Sequence, residues 1–103
     1  MPTIEQLEKL LAAEPHDPFV LYAMAQELAK QARDVEAIEF YDRCLAADPH
    51  YCYAYFHKAR SQEAVRDEEG ARQTLRAGLE AAMQAGDQKA VGEIEAYLEG
   101  LGG

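Results

Sequence analysis

Two prolines, Pro15 and Pro49, stand 34 residues apart, and the alanines Ala37 and Ala71 repeat that interval. A fixed interval constrains the fold more than any single residue does, because each copy must form the same unit and bury its apolar face against the next. The stretch AIEFYDRCLAADP, Ala37 to Pro49, shows what is repeated. Apolar or small residues at Ala37, Ile38, Tyr41, Cys44 and Leu45 fall on one side of a helix, and Pro49 stops that helix after Asp48.

The remaining segments read as helices of the same kind. Thr3 with Gln6 forms a capping box before the stripe Ile4, Leu7, Leu10 and Leu11, which predicts a first helix over roughly 4–14. Asp17 caps and Pro18 opens a second helix carrying Phe19, Leu21, Tyr22, Met24, Ala25 and Leu28 to about Gln31. Asp34 is expected to cap the third helix, with Glu36 favourable near its positive end. A fourth runs from Tyr51 to about Val65, and Asp67, Glu68 and Glu69 open a fifth that continues to Gly86. Asp87 caps a last helix with Val91, Ile94, Leu98 and Leu101 at helical spacing, and Gly102-Gly103 are expected to fray.

A chain of 103 residues supports one domain, and its main residues, alanine, leucine, glutamate, glutamine and arginine, favour helix. Ten basic against 19 acidic residues give a net charge of −9, which repels phosphate backbones, so no nucleic acid is expected as partner. The acids themselves read as solvated outer helix faces. No run of 18 apolar residues occurs, so no membrane partner is expected, and the lack of a basic head with an apolar run at the start makes the cytoplasm the expected compartment.

Catalytic chemistry finds little to build on. Cys44 and Cys52 lie outside paired-ligand spacing, and Cys44 reads as a small core residue. His16 and His50, also 34 apart, follow the two prolines and read as solvated turn residues. His50, Cys52 and His57 would approach a metal only if the start of the fourth helix were bent, with no carboxylate to complete the site, so no metal and no cofactor is expected. Neither a phosphate loop nor a nucleophile–base pair stands out, and the chain reads as no enzyme.

A helix-turn-helix unit of 34 residues closed by a proline is the signature of the tetratricopeptide repeat, and the chain resembles that family over about 80 to 90 residues. Leu21, Ala25, Leu28, Ala37, Tyr41, Cys44 and Pro49 occupy the motif places of one unit; Tyr55, Ala59, Ala71, Leu75 and Gly78 occupy those of the next. The second copy is degenerate, with Lys58 and Gln62 where the first has Met24 and Leu28, and Met83 in place of the proline. The resemblance implies an all-α solenoid of antiparallel helix pairs, about six helices in one domain over 1–103. Its expected parts are a half unit at 3–15, full units at 18–49 and 52–85, and a capping helix at 87–101. The small residues Ala25, Ala37, Ala59, Ala71 and Gly78 then mark close helix approach. Ala32 and Val65-Arg66 stand where the family has a turn glycine, so altered turns are expected rather than left-handed ones.

What the resemblance implies for function is protein binding in a concave groove lined by the first helix of each unit. Carried residue by residue, the groove positions are Phe19, Tyr22, Gln26 and Lys30, then Tyr53, Phe56, His57 and Arg60. Four aromatics beside Lys30, His57 and Arg60 suit an apolar side chain and an acidic group held together. The same aromatics at helical spacing equally suit packing between helices. Residues of the chaperone-tail receptors of the family are missing, since Tyr22, Gln26 and His57 replace the lysine and asparagines, and Asp87 and Val91 the final basic pair. The expected function is a non-catalytic module that binds a peptide or protein segment. The alternative is a self-associating scaffold, a weak homo-oligomer through Ile4, Leu7 and Leu11 at one end and Val91, Leu98 and Leu101 at the other.

Overall fold

The structure, a computed structural model, describes residues 2–102; Gly103, with its expected fraying, lies outside them. Among the described residues there are six α-helices and no strand: α1 (Ile4–Ala13), α2 (Pro18–Lys30), α3 (Asp34–Ala47), α4 (Cys52–Ala64), α5 (Glu68–Ala85) and α6 (Gln88–Gly100). Each helix packs on its neighbour in sequence through a short antiparallel link, while α2 also touches α4 and α4 touches α6. The outcome is an all-α helical repeat.

Caps explain most of the boundaries. The Thr3–Gln6 capping box forms in both directions. Asp17 accepts from the amides of Phe19 and Val20, Asp67 from Gly70 and Asp87 from Ala90. The third helix differs from expectation: Asp34 is its first residue, Arg33 takes the cap position, and no side chain caps it. The reason lies in the preceding turn, where the Arg33 amide is already bonded to the Leu28 carbonyl and fixes Arg33 as the boundary. Asp34 and Glu36 then act on the helix dipole, and the Arg33 guanidinium grips Glu36 through bonds of 2.8 and 2.7 Å.

The inner turns also correct the expectation. Ala32 and Arg66 adopt left-handed backbone at φ 59° and 66°, the geometry that Gly86 takes at φ 70°. All three close their helices in the same way. The residue after the left-handed one bonds five positions back, Arg33 to Leu28, Asp67 to Gln62 and Asp87 to Ala82, and a second amide closes inside it. These bonds satisfy carbonyls that the helix end would otherwise leave open, which offsets the roughly 1–2 kcal/mol that a Cβ costs in this region.

Packing forms two linked clusters. Leu7, Leu11, Leu21, Met24, Leu28, Tyr41 and Cys44 build one, which Ala54 of α4 joins; Cys52, Ala59, Leu75, Ala82, Ala90 and Ile94 build the other. Ala25, Ala37, Ala59 and Ala71 are fully buried. At Gly78 a Cβ would lie 2.5 Å from the Tyr55 Cβ, so α4 and α5 meet there too closely for any side chain. The polar replacements in the second unit find different fates: Lys58 pairs with Asp42 at 2.6 Å, whereas Gln62 is buried and its Oε1 has no partner among the described residues. Leu7 and Leu11 are consumed by packing on α2, and Ile4 packs beside them, so that set is not a free end face. Val91, Leu98 and Leu101 are partly buried against the second cluster.

Candidate functional site

The side chains at Phe19, Tyr22, Gln26 and Lys30 follow one stripe of α2, because steps of three and four return to the same face of a helix. Tyr53, Phe56, His57 and Arg60 do the same on α4. Between the C-terminal halves of these stripes lies an open cleft of about 470 Å³. Gln26, Lys30, His57 and Arg60 line it together with Asp34 and Ser61, the Tyr41 ring forms part of the wall, and Ala29, Ala32 and Ala64 keep its turn end low.

A hydrogen-bond chain ties the cleft to the core. Buried Tyr41 donates its hydroxyl to Gln26 Oε1 at 2.6 Å, and Gln26 Nε2 donates to the Tyr22 hydroxyl at 3.2 Å. Gln26 is therefore held in place. The Tyr22 ring packs against Tyr51, with centroids 4.8 Å apart, and against His57 at 5.9 Å. Burial, with Tyr51 second, pushes the Tyr22 hydroxyl up to about 12.

The other aromatics divide. Phe56 meets Tyr97 of α6 at 5.1 Å and His57 at 5.3 Å, while the Tyr97 hydroxyl donates to Glu63. Tyr53 is half-buried near Phe56. Phe19 has 69% of its surface exposed, so it packs on little and stands free at the start of α2. Tyr22 and Phe56 are thus wall residues already engaged with other rings, and Phe19 is not.

Charge concentrates at the turn end. Lys30 pairs with Glu27 of its own helix at 3.4 Å, and Arg60 is exposed with no ion pair among the described residues. Burial, then Arg60, holds the His57 imidazole below its ordinary value of 6.5, so it is neutral at pH 7. Asp34 is the acid on the lining. The arrangement offers donors and a stacking wall, which suits binding. Both thiols are buried, and burial pushes Cys44 up to about 12 and raises Cys52, the opposite of nucleophile activation.

Sequence reasoning overlooked Asp34, Tyr41, Ser61 and Tyr97 as neighbours of the groove. Tyr41 carried a core signal, and only the fold shows that its hydroxyl reaches the wall. Among the described residues, no group of three histidine, cysteine, aspartate or glutamate side chains converges as a metal site, and no helix is long and apolar enough to cross a membrane. His50 instead meets Gln84 at 3.3 Å on the outside.

No family model matches the chain. Its sequence is similar to a TPR repeat-containing protein of Pseudomonas aeruginosa, 30% identical over 98 residues that span 95% of this chain and 93% of that protein. Among solved structures, the solution structure of a Bordetella parapertussis protein matches with a TM-score of 0.84 at 27% identity, covering 99% of this chain and 89% of that one. A tetratricopeptide repeat domain protein from Salinibacter ruber matches both in solution, with a TM-score of 0.79, and in the crystal, with 0.77. Both Salinibacter matches are 30% identical and cover 84% of this chain, and they cover 88% and 98% of their own.

Proposed function

This chain belongs to the tetratricopeptide-repeat family, and from that premise we propose that it is a non-catalytic interaction module that binds a segment of another protein on the face formed by α2 and α4. The family's general work is protein–protein interaction, and the groove is the finer part of the proposal. The observation that carries it is the cleft at the turn end of that face, where Arg60 has no ion pair among the described residues and Phe19 is exposed on the same face. A partner would use both, the phenyl ring as an apolar contact and the guanidinium as a fork for a carboxylate.

The test compares the wild type with a Phe19→Ala, Arg60→Ala variant, both immobilised and exposed to cell extract, after circular dichroism has shown that the variant is folded. A protein retained by the wild type and lost by the variant supports the groove. Equal retention by both rejects it and favours self-association, for which a shallow depression beside Leu79 and Leu98 on α5 and α6 is the available surface. Sedimentation at micromolar concentration then reads that alternative directly.

A further inference from the structure

The chemistry along the two stripes is ordered. Phe19 and Tyr53 stand at the N-terminal ends of α2 and α4, and Lys30 and Arg60 stand near the C-terminal ends. Lys30 comes eleven positions after Phe19, and Arg60 seven after Tyr53. At about 1.5 Å of rise per residue, the rings and the cations are separated by about 10–16 Å along the groove. An extended chain covers that distance in about three to five residues.

Arg60 gives the cleft a place for an acid despite the net charge of −9. Glu27 is engaged with Lys30 on its own helix, Glu63 accepts from Tyr97 on α6, and Asp34 of α3 is the acid left on the lining. Against it stands Arg60, which has no ion pair among the described residues and presents a planar fork suited to a carboxylate, while the charge of Lys30 is already met by Glu27. The cleft's end is bordered by the small side chains of Ala32 and Ala64, which leave room for a chain to continue past the cations. A passing chain, rather than a chain end, fits that opening.

Resting on the groove reading above, we infer that the partner segment is extended and internal to its chain, and carries a side-chain carboxylate three to five residues from an apolar side chain. The carboxylate sits between Lys30 and Arg60, and the apolar group lies on the rings of Phe19 and Tyr53. Gln26, locked by Tyr41 and Tyr22, is positioned midway to meet the backbone of that segment.

The probes are two random dodecapeptide libraries, one displayed within a loop of a carrier protein so that no free terminus is offered and one at a carrier's free C-terminus, both panned on the wild type. Enriched loop sequences are remade with blocked ends and measured by fluorescence anisotropy. The expected binders share an Asp or Glu three to five residues from an apolar residue. Changing that acid to its amide, or Arg60→Gln in the protein, weakens binding about fivefold to tenfold, and the two changes together weaken it little further. Binders that ignore both changes but are lost with Phe19→Ser overturn the acidic class and leave the groove reading intact. Enrichment from the free-terminus library alone overturns the internal segment. Binders that ignore Arg60→Gln and Phe19→Ser alike, or no enrichment from either library, overturn the groove reading itself.

Discussion

Ala32 and Arg66 carry a Cβ in backbone that favours glycine, and the strain is local enough to relieve. Left-handed geometry costs such a residue about 1–2 kcal/mol, while a glycine costs about 0.5–1 kcal/mol through the freedom it gains when unfolded. Relief wins, so Ala32→Gly and Arg66→Gly should each raise stability by about 0.5–1 kcal/mol in urea melts; a loss for both would refute the turn geometry. Gln62 is a second such residue. Its orphaned acceptor is buried where the first unit has Leu28, and Gln62→Leu should stabilise by about 1 kcal/mol in the same assay. His57 gives a pH signature. Its folded value lies below 6.5, so the unfolded chain takes up the proton first, and the stability this group contributes, present above 6.5, is lost as pH falls through its folded value. Proton NMR should place the His57 midpoint below 6.5, and Arg60→Gln should move it upward; a midpoint above 6.5 in the wild type would contradict the burial described.

At the scale of elements, the helix pair α4–α5 turns on one glycine. Gly78→Ala gains about 0.5–1 kcal/mol of helix preference but drives a methyl into the Tyr55 Cβ, and overpacking of this kind costs about 1–3 kcal/mol. A net loss is expected by thermal melting, and a gain would mean that the helices are free to separate. The helices themselves were legible in the sequence because period, caps and prolines agree at each of them, as at Thr3, Asp17 and Pro49. Arg33 and Ala32 were not, because a turn's geometry is set by carbonyls five positions back and any residue with a tolerable penalty will serve. On the groove, the family resemblance put Gln26, Lys30, His57 and Arg60 on one face, and the structure brings those four round one cleft. It could not separate exposed Phe19 from Phe56 on Tyr97, since that difference depends on whether a neighbouring helix covers the stripe.

Across the whole molecule, stability passes from neighbour to neighbour. Helix α1 packs on α2 alone and α6 chiefly on α5, whereas α3 and α4 are held from both sides. Nearest-neighbour stabilisation of this kind predicts that amides of α1 and α6 exchange with deuterium before those of α3 and α4. Uniform exchange would reveal a single cooperative block instead. The same thinness limits binding. A groove with two lining helices covers less than the roughly 800 Å² per partner of a standard interface, and a peptide bound there alone should show a dissociation constant on the order of micromolar by calorimetry.

The two buried thiols fall one in each cluster, Cys44 on α3 and Cys52 at the start of α4. Each is inert while its own half stays shut, so the chain carries a pair of native clocks. Alkylation by a small maleimide, read by peptide mass at each site, times the opening of the two halves separately, and needs no label that could disturb either one.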